Sequence, residues 1–384
     1  MNPFVFHVPT KIAFGEGLAS GTADIVKELA GSRALILTDK PLMKTGIVEQ
    51  ILEGFADMKY VIFDDVPPDS DVDCVNKVAD LARSEECDCI VAIGGGSVMD
   101  TAKVVNICLT LGGEILEYQG LNNIAEQLLP LVAVPTTAGT GSEVSMVAMV
   151  KDRAEGKKLL FGSRYLAPSV AVLDPLLTVS LPPKLTAATG LDALTHAVES
   201  YTAVISNSVF TDSLCIDSTK MIFENLRAAT KDGGNIEARS QMLVASTMAG
   251  VAFTNSGVGV VHALAHSLGA KFGTHHGIAN CIFLPHGMQF NMDAVTQRYA
   301  KLSRLVGMST SSKDTVAASE LIEAIETLCT DCGLPRRLRD AGVPELKSDD
   351  IEELAFLTGS DPAIMFNPKE CSPEDIKGLY ERAY

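Results

Sequence analysis

The 384-residue chain is long enough for two, or at most three, domains of about 100–200 residues each. With 47% hydrophobic and 21% charged residues it is composed like a globular protein, and its net charge of −17 argues against nucleic acid and membrane surfaces as partners. Nine scattered cysteines, and an N-terminus without the charged, then apolar, then small-residue order of a secretory signal, point to a reduced, cytoplasmic setting.

Residues 4–9 and 11–17 alternate apolar positions and end in glycines, which predicts a short strand and turn, and residues 18–29 have helical spacing. Residues 34–38 form a continuous apolar run of buried parallel-strand type, with Asp39 at its C-terminal end. An amphipathic stretch at 47–55, a strand at 60–63, a turn at Pro67-Pro68 and a helix at 72–84 follow. The next buried strand, 89–93, runs straight into Gly94-Gly95-Gly96-Ser97, with helical spacing over 100–109. This alternation predicts a mainly parallel sheet covered on both faces.

Residues 129–134 add a strand that ends in Pro135-Thr136-Thr137-Ala138-Gly139-Thr140-Gly141-Ser142, and two more strands are expected at 144–150 and 170–173. Beyond Pro182-Pro183 the pattern turns helical, over 185–201, 210–229, 236–253, 261–272, 295–305 and 316–332, with short helices at 349–357 and 373–382. The expected domains are therefore 1–180, α/β, and 181–384, all-helical. Residues 240–270 lack Asp, Glu, Lys and Arg and are long enough to span a bilayer. Thr254-Asn255-Ser256-Gly257 interrupts them and they carry two histidines, as a buried helix pair would. Cys329-x-x-Cys332 has no second pair and reads as ordinary cysteines.

Two glycine- and hydroxyl-rich turns at the C-terminal ends of strands suit a dinucleotide, because backbone amides and helix N-termini there bind phosphate. Asp39 ends its strand at the same edge, where a carboxylate accepts ribose hydroxyls and repels a 2′-phosphate, so the expected cofactor is NAD(H). In the second half, Asp192 and His196 are spaced i, i+4, as are His262 and His266, and His275-His276 follow. Imidazoles with one carboxylate suit iron(II) or zinc better than calcium or magnesium. Spacing alone nominates His262 with His266 as a ligand pair.

Four motifs together resemble the iron-containing (group III) alcohol dehydrogenase family over nearly the whole chain: Gly94-Gly-Gly-Ser-Val-Met-Asp100-Thr-Ala-Lys103, Pro135-Thr-Thr-Ala-Gly-Thr-Gly-Ser-Glu-Val144, Gly190-Leu-Asp-Ala-Leu-Thr-His-Ala-Val-Glu199 and the histidine stretch from Gly259 to Asn280. The resemblance implies an N-terminal Rossmann-like dinucleotide-binding α/β domain and an all-α metal-binding domain, the fold shared with dehydroquinate synthase. It implies metal ligands Asp192, His196, His262 and His276, holding Fe2+ or Zn2+, with His266 beside the metal as a proton relay. It maps Asp39, Gly95, Gly96, Ser97, Asp100, Thr136, Thr137, Thr140 and Lys158 onto the NAD site, and Val147 and Phe253 onto the substrate pocket. The loop from Gly269 to Thr274 is expected to carry His276 back to His262. The implied activity is reversible hydride transfer between a small primary alcohol or diol and NAD, in a cytoplasmic homodimer or larger homo-oligomer. Alternatives on the same scaffold are a glycerol dehydrogenase-like polyol oxidation, a dehydroquinate synthase-like cyclase and a non-catalytic filament-forming scaffold.

Overall fold

The structure is a computed structural model that describes residues 3–153 and 156–384. The chain divides into two compact units, His7–Leu181 and Pro182–Tyr384, the latter joined by residues 3–6.

The strands of the first unit, among the described residues, are β1 (Lys11–Phe14), β2 (Arg33–Leu37), β3 (Lys59–Phe63), β4 (Cys89–Gly94), β5 (Gly120–Leu121), β6 (Leu131–Pro135), β7 (Val147–Asp152), β8 (Lys157–Gly162) and β9 (Val170–Leu173). Its helices are α1 (Thr22–Glu28), α2 (Lys40–Met43), α3 (Ile47–Leu52), α4 (Val72–Ser84) and α5 (Gly96–Thr110). Six strands form a parallel sheet in the order β1-β9-β6-β4-β2-β3. Side chains alternate across it. Leu35, Leu37, Ile90 and Ala92 pack with Val75, Val78, Val98 and Ala102 of α4 and α5, whereas Ala34, Ile36, Val91 and Ile93 pack with Ala23, Val26, Val48 and Ile51 of α1 and α3. Burial on both faces is why these strands read as unbroken apolar runs.

A second sheet, β5-β8-β7, departs from the sequence expectation. β7 starts at Val147 rather than at residue 144, and it pairs antiparallel with β8, which was not expected. In β8 the buried Leu159 and Phe161 alternate with partly exposed Lys158 and Leu160, a period-2 signal too short to separate from the lysines before it.

The second unit contains α6 (Pro183–Thr202), α7 (Val209–Lys231), α8 (Ile236–Ser256), α9 (Val260–Phe272), α10 (His276–Leu305), α11 (Asp314–Asp331), α12 (Ser348–Gly359) and α13 (Pro373–Ala383). Among the described residues no single helix is long and apolar enough to cross a membrane. The uncharged stretch at 240–270 splits into α8 and α9, which meet at 101°. α10 is the main correction. It starts at His276 and runs through Pro285 to Leu305 with a break at Val295 (φ −133°), so the helix expected over 295–305 is the segment after the break, and the longer segment from His276 up to it was not expected.

Candidate metal centre

Helix α6 is buried on nearly every side, so the polar residues on it need partners. Asp192, His196 and Glu199 follow at i, i+4 and i+7 and lie on one face. α9 has no side-chain cap of its own, and Glu199 supplies one: Oε1 accepts from the Val261 amide at 2.7 Å and Oε2 from the His262 amide at 3.3 Å. A carboxylate at a helix N-terminus is stabilised by the exposed amides and the helix dipole. That contact fixes the first turn of α9 against α6 and brings His262 to the Asp192 turn.

Ligand atoms of Asp192, His196 and His262 lie within 4.8 Å of one another, and all three residues are buried. His262 Nε2 is 4.0 Å and His276 Nε2 3.5 Å from Asp192 Oδ1. His196 is sandwiched between Phe253 (ring centroids 4.4 Å apart) and His262 (4.5 Å). His276, at the start of α10, is more exposed than the other three, and Asn280 one turn on donates to Asp192 Oδ1 at 2.6 Å and lies 3.1 Å from His276 Nε2. Among the described residues this is the one grouping of three or more donors at such distances.

The donors fit a divalent metal. His262 Nδ1 is 2.5 Å from Glu199 Oε2, while its Nε2 is buried and makes no hydrogen bond. A ring that donates from Nδ1 to a carboxylate presents its Nε2 lone pair as a ligand. Burial, with the charge of His266, holds the His262 imidazolium well below the usual histidine range, so the ring is neutral. Burial also raises the Glu199 carboxyl to about 7, opposed by the amides of Gly259, Val261 and His262. Imidazoles plus one carboxylate suit iron or zinc. Glu199→Gln is expected to weaken metal binding about 10–100-fold by loosening the His262 ring. Chelator competition measures this, and unchanged affinity would remove Glu199 from the site.

His266 lies outside the donor group. Its Nδ1 bonds to Asp361 Oδ2 at 2.9 Å, and its ring stacks on His276 with centroids 5.2 Å apart. Asp361 is held below the usual carboxylate range: burial raises it, but the charge and hydrogen bond of His266 and the Ala363 amide outweigh that. The expected loop from Gly269 to Thr274 is also corrected, because α9 continues to Phe272 and the break before α10 is short. Gly277 is what seats His276. A Cβ there would lie 2.3 Å from the Ala188 carbonyl oxygen, so α10 crosses α6 closer than any side chain permits. His275 is exposed.

In the α/β unit the glycine-rich turns meet. A Cβ on Gly96 would lie 2.8 Å from Thr140 Cγ2, one on Gly95 3.3 Å from Thr137 Cγ2, and the Thr136 amide donates to the Gly94 carbonyl at 3.1 Å. Asp39, Gly95 and Thr136 follow the neighbouring strands β2, β4 and β6. The chain leaves β2 toward β3 and leaves β4 toward β6, so the topological switch point falls between Asp39 and Gly95, where such sheets bind ligands. Asp39 Oδ1 also caps α2 through the Leu42 amide at 2.8 Å. Ser97 Oγ accepts from the Asp69 amide at 3.0 Å, and Lys158 Nζ reaches Asp69 Oδ1 at 3.1 Å, so Ser97 and Lys158 share one neighbour.

Asp100, expected among the cofactor contacts, has both oxygens engaged within the protein, by Ser142 Oγ at 2.6 Å and the Met149 amide at 3.0 Å. Lys103 is fully buried, donating to Ser142 Oγ, to the Ser145 hydroxyl and carbonyl, and to the Val147 carbonyl at 2.8–3.1 Å; burial lowers it to about 8 against the pull of Asp100 and Glu143. The pair ties the second glycine-rich turn and the start of β7 to α5. Val147 and Phe253 fall in different units.

Family profiles cover both units: "Iron-containing alcohol dehydrogenase" matches residues 9–175, and "Fe-containing alcohol dehydrogenase family, C-terminal" matches residues 186–384. The NAD-dependent methanol dehydrogenase of Bacillus methanolicus is 38% identical over 381 residues, 98% of this chain and 99% of that protein. The crystal structure of a 1,3-propanediol oxidoreductase superposes with a TM-score of 0.95 at 37% identity, over 100% of both chains. That of sulfoacetaldehyde reductase from Bifidobacterium kashiwanohense in complex with NAD+ gives 0.88 at 32% identity, over 100% of this chain and 99% of that one. With these matches spanning both units and the donor cluster in place, the chain belongs to the iron-containing alcohol dehydrogenase family and is an oxidoreductase.

Proposed function

We propose that the protein catalyses reversible hydride transfer between a small primary alcohol or diol and NAD, with Asp192, His196, His262 and His276 holding Fe2+ or Zn2+. The convergence of Asp192, His196 and His262, with His262 Nε2 turned out of hydrogen bonding, carries this reading. A metal bound there supplies Lewis-acid polarisation of the alcohol or carbonyl oxygen. Asp192 contributes the negative charge that the neutral imidazoles lack. His266 passes the hydroxyl proton outward, its ring oriented by Asp361. Phe253, stacked on His196, lines the substrate pocket.

Gly95, Gly96 and Ser97 bind the pyrophosphate at the N-terminus of α5, with Thr136, Thr137 and Thr140 on the facing turn and Lys158 countering its charge. Asp100 acts by positioning that turn rather than by touching the cofactor. Asp39 accepts the adenosine ribose hydroxyls. The relatives' substrates, methanol, 1,3-propanediol and sulfoacetaldehyde, favour small alcohols and aldehydes over the polyol, cyclase and scaffold alternatives. We place the protein in the cytoplasm as a homodimer joined through the outer edge of β1, and sedimentation at the mass of one 40.7 kDa chain would contradict that assembly.

A steady-state screen of short alcohols and aldehydes with NAD(H) tests the activity, and no turnover with any of them would sink it. Asp39→Gly tests the cofactor assignment. Glycine costs only a few tenths of a kcal/mol as a helix cap, so the variant folds. Its kcat/KM ratio for NADPH over NADH is expected to rise about tenfold or more, the effect of removing one unfavourable charge contact worth about 1.4 kcal/mol. An unchanged ratio would show that Asp39 does not select the cofactor.

A further inference from the structure

Cys281 on α10 and Cys329 on α11 face each other in the core of the helical unit, each 2% exposed, with their sulfurs 2.9 Å apart. Both are free thiols, close enough to touch yet outside the bonding distance of about 2.05 Å. The local Cys329-x-x-Cys332 motif is thus not the pair the fold makes. Among the described residues no third donor joins the two thiols at metal-ligand distances, so they do not form a thiolate metal site. Cys281 and Cys329 line a small crevice together with Pro285, His286, Pro335 and Arg336.

We propose that Cys281 and Cys329 are a reversible oxidation site, which a hydroperoxide converts into a disulfide between α10 and α11. One thiol sulfur attacks the peroxide, the O–O bond breaks, and sulfenic acid and water form. The second sulfur then attacks the sulfenic sulfur, the S–O bond breaks, and hydroxide leaves with the second thiol proton as water. Overall the two thiols lose two protons and two electrons, and hydrogen peroxide is reduced to two waters. The hydrogen bond to Cys329 and burial hold the Cys281 thiol well above its ordinary range, so the first step is slow. The second is fast, because the partner is already in place. Asn280, the residue before Cys281, bonds to Asp192, so the link would tie down the turn of α10 nearest the metal centre.

The test treats the intact, metal-loaded protein with hydrogen peroxide under native conditions, alkylates remaining thiols after denaturation and maps the peptides by mass spectrometry. The expected product is one new linkage between the Cys281 and Cys329 peptides, reversed by dithiothreitol and accompanied by a higher thermal midpoint. Cys329→Ser should not form it and should leave Cys281 as sulfenic or higher acid. Recovery of Cys281 and Cys329 as alkylated thiols while other cysteines oxidise, or a Cys329–Cys332 linkage instead, would overturn the proposal. Because the readout is a covalent mass, it stands or falls separately from the dehydrogenase activity.

Discussion

Asp192→Ala is expected to leave a folded protein that retains no divalent metal through dialysis and oxidises NADH with short aldehydes about a thousandfold more slowly, or worse. Lewis-acid stabilisation is worth several kcal/mol, and each 1.36 kcal/mol is tenfold in rate. Asp192 is the one anionic donor of the set, its Oδ1 is 3.5 Å from His276 Nε2 and 4.0 Å from His262 Nε2, and it anchors Asn280. Asp192→Asn keeps an acceptor for Asn280 while removing the charge, and so separates the two contributions. Elemental analysis beside circular dichroism checks this, and one metal per chain in the alanine variant would remove Asp192 from the ligand set.

Gly277→Ala should damage the same centre from a residue that has no chemistry. The added Cβ would lie 2.3 Å from the Ala188 oxygen and 2.8 Å from its carbonyl carbon. Both are backbone atoms of α6, and neither can rotate away, so the first turn of α10 must retreat and take His276 with it. Overpacking of this kind costs about 1–3 kcal/mol, which for a protein of this size lowers the thermal midpoint by roughly 1–4 °C. Metal affinity should fall with it. Wild-type affinity in this variant would mean that the α6–α10 crossing does not set the position of His276.

The parallel sheet was legible because each of its central strands is buried on both faces and announces itself as an apolar run. β8 was not, since only Leu159 and Phe161 alternate inward before the chain turns. α10 was hidden by Gly277, Pro285 and Gly287, which read as loop punctuation. In the folded chain Gly277 and Gly287 are close-approach points, where a Cβ would meet Ala188 and Val261. At the candidate metal centre, both residues of the i, i+4 step from Asp192 to His196 fall in the donor group, whereas of the same step from His262 to His266 only His262 does, and spacing cannot show that His266 bonds to Asp361, 95 residues away. Glu199 and Asn280 had a usable signal, as polar residues one helical turn (i+3 and i+4) from His196 and His276. Asp361 had none, because only the fold brings it near.

The most direct test is metal reconstitution. Protein stripped by a chelator should lose NADH oxidation with short aldehydes, and anaerobic addition of Fe2+, or of Zn2+, should restore it in proportion to occupancy up to one ion per chain. Full activity in protein shown by elemental analysis to be metal-free, or added metal that binds stoichiometrically in the Asp192→Ala variant, would contradict the metal centre described here.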